Sequence, residues 1–470
     1  MNPDFVDAEM ASLNLNDARR TRRAKDLMRA IALTPSDSFP EIFDNHAELE
    51  ACYRLQNSDH VDHEHFISAH RDATWNRALS DSNYVLILHD TTEVVYPISD
   101  EPRYGLTQKG ATQSYHAHVA LAVPEGPVPH VHGVVGLLPT ILEDGTWLEI
   151  TPEDDEKALD CGSHRWSLLA RDVHSVVPKN LALIHVMDRE ADDYVVFSEL
   201  ATHSADFVVR SRHNRRLEDG AKLWTTVNES PILGYRKVDV SKRGGKRLPG
   251  SKKSHPDRRH RGANLTLRAV QVRVKIPSTL SGKIPLLQPL WCVEAVEEHP
   301  PKGEAAVHWR LLSTLPAQNE EQALRIVDIY RKRWLIEEFF KALKTGCALT
   351  KRQARSRATL LTILGMTIPL AWRLLSLRAL ERESPKTPAS DLFDNIELMA
   401  LKKLVPKARL TKHPNLSTVL KTIAQLGGHQ KNNGPPGWLT LGRGMEKLLN
   451  YAKGWRDALE FMEQSGLIEM

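Results

Sequence analysis

Residues 84–90 read YVLILHD, a short unbroken apolar run closed by an aspartate. Such a run fits a strand buried on both faces, which needs no alternation with polar residues. A second run of the same kind, LALIHVMD at 181–188, also closes on an aspartate. Between them, YHAHVALAV (115–123) and HVHGVVGLL (130–138) read as two more strands of a meander, and a helical segment follows around 155–177. After Asp188 a helix begins in DREADDYVVFSELA, and DFVVRS (206–211) reads as a fifth strand. The order βββαβαβ sets the first and fourth strands side by side, so Asp90 and Asp188, each ending its strand, are expected at one edge of the sheet. Alone, either aspartate reads as readily as a turn or cap residue.

A third acid lies on the stretch 328–345, DIYRKRWLIEEFFKALKT. At about 3.6 residues per turn, Tyr330, Arg333, Glu337, Lys341 and Lys344 fall within roughly 80° of one another. Leu335, Ile336, Phe339, Ala342 and Leu343 take the other side, so one helix with a buried back and a charged front is expected. The front is either a solvated stripe, with Glu337 paired to Arg333 and Lys341, or part of a site. Beside two strand-end aspartates it would bring Glu337 in as a third carboxylate. Carboxylates so close repel, and a cation between them relieves the repulsion. Mg²⁺ suits oxygen ligands and keeps positions open for water and phosphate. Two such ions about 3.5–4 Å apart serve in-line phosphoryl transfer, with Mn²⁺ an expected substitute.

The remaining chain suggests a polyanionic partner. Residues 19–29 hold Arg19, Arg20, Arg22, Arg23, Lys25 and Arg29 against one acid, Asp26, on a helix that Asn16 or Asp17 can cap. Such a face either contacts phosphates or only solvates the helix, and charge alone leaves both open. A second helical segment carries Glu50, Tyr53 and Arg54. Residues 212–320 read as an inserted β-subdomain, with strands at 265–276, 286–296 and 306–314. Within it, residues 242–261 hold nine Lys/Arg and one acid among Gly and Pro, a basic loop for non-specific nucleic-acid contact or for solubility. The domains expected are a helical DNA-binding domain at 1–70, a catalytic domain at 71–380, and a helical domain at 381–470 after the Pro/Ser-rich hinge ERESPKTPAS.

The net charge of +4 and the 41% apolar, 26% charged composition are those of an ordinary globular chain. Four scattered cysteines (Cys52, Cys161, Cys292, Cys347) form no CxxC pair, which argues against a zinc site or disulfide framework. The acidic start MNPDFVDAEM lacks a signal-peptide pattern, and the apolar segment 358–372, interrupted by Pro369, reads as a buried helix. A cytoplasmic protein with no membrane partner is expected.

These residues together resemble the DDE cut-and-paste transposases of bacterial insertion sequences, in the IS-four group. HDTTEVVY (89–96) resembles the family's first-aspartate motif and VMDREAD (186–192) its second. Tyr330, Arg333, Glu337 and Lys344 meet its YREK signature, and RRTRR, EACYR, FVVRS, PPKGE and LGG follow in family order. The 240–262 loop and the C-terminal region match loosely. The resemblance implies an RNase H-like core with a β-insertion, and Asp90, Asp188 and Glu337 as a catalytic, metal-binding triad. It implies DNA contacts by Arg19, Arg20, Arg23, Arg54, Arg210, Tyr330, Arg333, Lys341 and Lys344. Trp309 and Trp334 match aromatics around a base flipped out during hairpin formation. The implied partners are double-stranded DNA, as transposon ends and as target, and a second copy of the chain, in a homodimer joined through the C-terminal helices. Two other functions fit parts of the pattern: a metal-dependent nuclease without strand transfer, and a DNA-binding inhibitor of transposition.

Overall fold

A computed structural model of the chain describes residues 4–35, 37–43, 45–97, 106–109, 112–126, 131–153, 155–159, 162–240, 246–247, 254–255, 259–352, 354, 356–430, 435–465 and 467. Most of the 242–261 basic stretch lies outside the described residues.

The strands are β1 (Tyr84–Pro97), β2 (Thr107–Lys109), β3 (Thr112–Val123), β4 (Gly133–Glu143), β5 (Thr146–Ile150), β6 (Glu156–Ala158), β7 (Ala182–Met187), β8 (Asp206–Arg210), β9 (Ile232–Val240), β10 (Lys246–Arg247), β11 (Ser254–His255), β12 (Arg261–Val272), β13 (Leu290–Val296) and β14 (His308–Ser313). One sheet runs β6-β5-β4-β3-β1-β7-β8-β14-β13-β12-β9, with β2 flanking β3, and β10 pairs with β11 in a two-stranded sheet among the described residues. The segment β4-β3-β1-β7-β8 is the expected meander with the fourth strand parallel to the first. Leu86 lies opposite Ile184, and Leu88 opposite Val186.

Two sequence expectations are corrected. Asp90 does not end β1. What ends there is the parallel pairing with β7, after Leu88, while β1 runs on to Pro97 as the hairpin partner of β3. The segment 155–177 is helical only from His164, because Asp144 and Gly145, both at positive φ, turn β4 into the hairpin strand β5, and β6 follows. The 212–320 insertion is β-rich, as expected, with β12, β13 and β14 at the three stretches read as strands. Its strand β14 pairs with β8, so the core sheet continues through it, and β9 is a further strand.

The helices are α1 (Asp4–Glu9), α2 (Ala18–Leu33), α3 (Phe39–Ile42), α4 (His46–Gln56), α5 (His63–Asp81), α6 (His164–Val176), α7 (Tyr194–Thr202), α8 (Leu223–Asn228), α9 (Glu320–Lys332), α10 (Trp334–Lys341), α11 (Arg357–Glu383), α12 (Asn395–Leu404), α13 (Leu416–Leu426) and α14 (Trp438–Gln464). Alternate residues of β1 serve opposite faces. Val85 and Ile87 pack with Trp75 of α5 and with Leu169 and Val173 of α6. Leu86 and Leu88 join the core that holds Ile326 and Val327 of α9 and Ile336 and Phe339 of α10. Burial on both sides is why YVLIL carries no polar alternation.

Helix α11 passes through Pro369 without ending there. It is long and apolar enough to cross a membrane, yet 89% of its most apolar window is buried inside the fold. Gly365 allows its close approach to α5, since a Cβ there would sit 2.8 Å from the His63 carbonyl oxygen. The architecture is a mixed α/β, RNase H-like core with helical regions at both ends.

Candidate active site at one edge of the sheet

Asp90 and Asp188 each lie two residues beyond the last β1–β7 pair, Leu88 and Val186. By the alternation of extended chain they share the face of that pair, which is the face covered by α9 and α10. Asp188 is extended (φ −86°, ψ −168°) and caps the turn that follows, its Oδ1 accepting from the Glu190 amide at 2.7 Å. Asp90 Oδ1 accepts from the Thr91 amide at 2.8 Å. The place where β1 and β7 cease to pair thus presents two carboxylates side by side.

Glu337 arrives on α10. The expected single helix 328–345 is instead two helices meeting at Arg333, followed by one widened turn. The Arg333 amide donates to the Tyr330 carbonyl, and the Ile336 amide to that of Arg333, both at 3.1 Å and both spanning three residues. Further on, the Cys347 amide reaches back five residues to the Ala342 carbonyl at 2.8 Å. The charged front is therefore re-aimed at both ends. Arg333 points into the site and donates to Asp90 Oδ2 at 2.7 Å and to Glu337 Oε1 at 2.6 Å. Lys344 reaches the Glu93 carbonyl of β1. Lys341 turns away, pairing with Glu338 at 2.7 Å and lying 5.2 Å from the Trp334 ring.

Burial pushes the Asp90 carboxyl up to about 6; Arg333 opposes the rise, and Asp188 and Glu337 add to it. Burial works against the Arg333 charge, but Tyr330, Asp90 and Glu337 more than offset it and hold the guanidinium protonated. The site is crowded with negative charge and has Arg333 as its counter-ion. Accordingly, among the described residues no group of three His, Cys, Asp or Glu side chains is spaced to hold a metal ion. The donor chemistry nevertheless suits a hard cation, since all three acids offer oxygen.

The other expected contacts divide by exposure. Arg19, Arg22 and Arg23 of α2 are exposed, as is Arg54 of α4. Arg20 is half-buried and donates to the Leu15 carbonyl at 2.9 Å. Arg29 is drawn off by Asp7 (2.5 Å) and Asp26 (2.6 Å). Arg210, half-buried at the end of β8, donates to the His308 carbonyl at 3.0 Å. Tyr330 is buried, with its ring 5.9 Å from that of Trp309, edge to face. Trp309 is thus partly packed into the core, whereas Trp334 is 50% exposed.

Sequence reading missed Arg165, on the first turn of α6. It is 5% exposed, stacks over Trp147 at 4.6 Å, and donates to Thr91 Oγ1 at 3.1 Å and also to Gly162 and Glu190. A lone arginine in a helical segment carries no local signal. Three buried histidines were missed as well: His89 lies 2.9 Å from His185, and His118 bonds Thr91 Oγ1 at 2.9 Å.

Comparison with known families gives two matches. Residues 2–61 match the transposase DNA-binding model, and residues 169–368 match the transposase DDE domain. The first spans α1 to α4, with their exposed arginines. The second contains Asp188 and Glu337 and begins after Asp90. A transposase DNA-binding domain and a DDE domain in one chain identify this protein as a transposase of the DDE type.

Proposed function

We propose that this transposase works by cut and paste: it binds the ends of its own element, cleaves them through a hairpin intermediate, and joins the 3′-hydroxyl ends to target DNA. The reading places it in the IS-four group, acting as a homodimer on paired ends in the cytoplasm. The observation that carries it is the meeting of Asp90, Asp188 and the Arg333–Glu337 pair where β1 and β7 part.

DDE domains generally use a divalent metal, typically Mg²⁺. In this reading Asp90, Asp188 and Glu337 would hold it, two ions per site, with Mn²⁺ able to substitute. When bound, such a metal would supply the charge that activates an attacking oxygen and stabilises a leaving one. The chain's own part is positioning. A DNA phosphate reaching this edge offers Arg333 an alternative anion that it can grip with two parallel hydrogen bonds. Its departure from Asp90 and Glu337 frees their oxygens. Tyr330 backs that face, Lys344 fixes the turn after α10 against β1, and the half-exposed Trp334 offers a stacking platform for an extruded base.

The test is a reaction of purified protein with duplexes carrying the inverted repeats that flank its coding region, plus a target plasmid and Mg²⁺. Hairpin ends followed by covalent joining to the plasmid are expected. Cleavage without joining would make the protein a nuclease. Binding without cleavage would make it an inhibitor.

A further inference from the structure

Arg165 bonds neither aspartate, yet it grips a close neighbour of each. Its Nε donates to Thr91, the residue after Asp90, at 3.1 Å, and its terminal nitrogens reach Glu190, two residues after Asp188, and the Gly162 carbonyl. Thr91 lies 74 residues away in sequence and Glu190 25 residues away. The Glu190 amide is itself bonded to Asp188 Oδ1, and the Thr91 amide to Asp90 Oδ1. One guanidinium therefore ties together the two short segments that orient the two carboxylates. Its guanidinium carbon also lies over the Trp147 ring, 4.6 Å from the centroid. Burial lowers its pKa, while Glu190 and Asp188 oppose that. Burying a charge is costly unless its hydrogen bonds are met, and here all three nitrogens are engaged.

We infer that Arg165 is a positioning residue that sets the separation and direction of the Asp90 and Asp188 carboxylates for a divalent cation. The inference rests on the proposed function, in which these two aspartates bind the metal. Partners behind metal ligands typically contribute 10- to 100-fold to affinity. A fixed positive charge near a cation site does the opposite and weakens binding, so the sign of the effect separates the two roles. Lysine keeps the charge but cannot span Thr91, Gly162 and Glu190 together.

The probe is Mn²⁺, titrated by electron paramagnetic resonance into the full-length protein bound to its end duplex, with thermal melting followed in parallel. Arg165→Gln should weaken Mn²⁺ binding about 10- to 100-fold in protein that remains folded, and Arg165→Lys should not restore it. Thr91→Val should weaken it in the same direction, Thr91→Ser should keep it, and combining Thr91→Val with Arg165→Gln should add little, because both break one link. Unchanged or tighter Mn²⁺ binding in Arg165→Gln overturns the inference, as does a drop in melting temperature without a drop in affinity. If Arg165→Gln does not fold, unchanged affinity in Thr91→Val overturns it instead. Asp188→Ala separates the two claims. If that variant still binds Mn²⁺ normally, the metal-site reading fails; if it does not bind while Arg165→Gln does, only the role of Arg165 fails.

Discussion

Two sets of arginines divide this molecule. Arg165 and Arg333 sit where β1 and β7 part, largely out of water and bonded to acids. Arg19, Arg22 and Arg23 stand exposed along α2, and the acids nearby are engaged elsewhere, Asp17 capping the helix and Asp26 holding Arg29. In sequence the α2 set forms a dense basic run, whereas Arg165 stands alone and Arg333 belongs to a mixed charged stripe. Their surroundings assign them different work. A buried arginine fixed to carboxylates acts through geometry, and its removal should change chemistry. An exposed row acts through summed charge, and its removal should change affinity in a salt-dependent way.

The largest effect that would sharpen this contrast is at Arg333. Arg333→Ala removes the guanidinium that bonds Asp90 and Glu337 and, on the proposed function, the donor to the scissile phosphate. Cleavage of bound DNA ends should fall about 10²- to 10³-fold, the usual cost of removing one donor at a reacting centre. Single-turnover kinetics would read it, and a defect confined to DNA affinity would place Arg333 with the exposed set.

The two tryptophans come next. Trp334→Ala should slow the hairpin step about 5- to 150-fold, given roughly 1–3 kcal/mol for stacking one base, with the first nick and the melting temperature nearly unchanged. Trp309, packed on Tyr330, should show the reverse, a lower melting temperature in Trp309→Ala. A time course of nicked and hairpin products, run beside melts, separates them. Equal slowing of nick and hairpin in Trp334→Ala would remove it from base stacking.

On α2, replacing Arg19, Arg22 and Arg23 by Ala should flatten the salt dependence of end binding. The log–log slope should fall by about 0.9 for each DNA phosphate that the altered protein no longer neutralises. Binding isotherms at several salt concentrations give the slope. If it does not change, the row only solvates the helix. The smallest effect is expected at Lys341, whose ammonium is shared between Glu338 and the Trp334 ring. With its charge already engaged there, Lys341→Ala should alter end affinity no more than a few-fold in a filter-binding assay. A larger drop would move Lys341 into the site.

Much of the core is legible in the sequence because its cause is local. YVLIL and LALIHVM carry no alternation since helices cover both faces, and the two aspartates follow those runs directly. The hairpin arm beyond Asp90 is harder to read. It alternates buried and exposed residues, and its partner strand begins only at Thr112. The strands after Glu143 are signalled by Asp144–Gly145, a hairpin pair that the neighbouring helical pattern masks. The charged stripe misleads at its end, because the helical period does not extend through residues 342–346, where the turn widens. Arg165 has no local trace at all, since all that marks it is its bonding to Thr91 and Glu190 far along the chain.

The central claim is that Asp90, Asp188 and Glu337 act on the DNA backbone and do not merely hold the fold. It is tested most directly by measuring, for Asp90→Ala, Asp188→Ala and Glu337→Ala, both end-DNA affinity and Mg²⁺-dependent cleavage in the same preparations. The account predicts affinity near that of the unaltered protein and no detectable cleavage in all three. Cleavage near the unaltered rate in any one of them would contradict it.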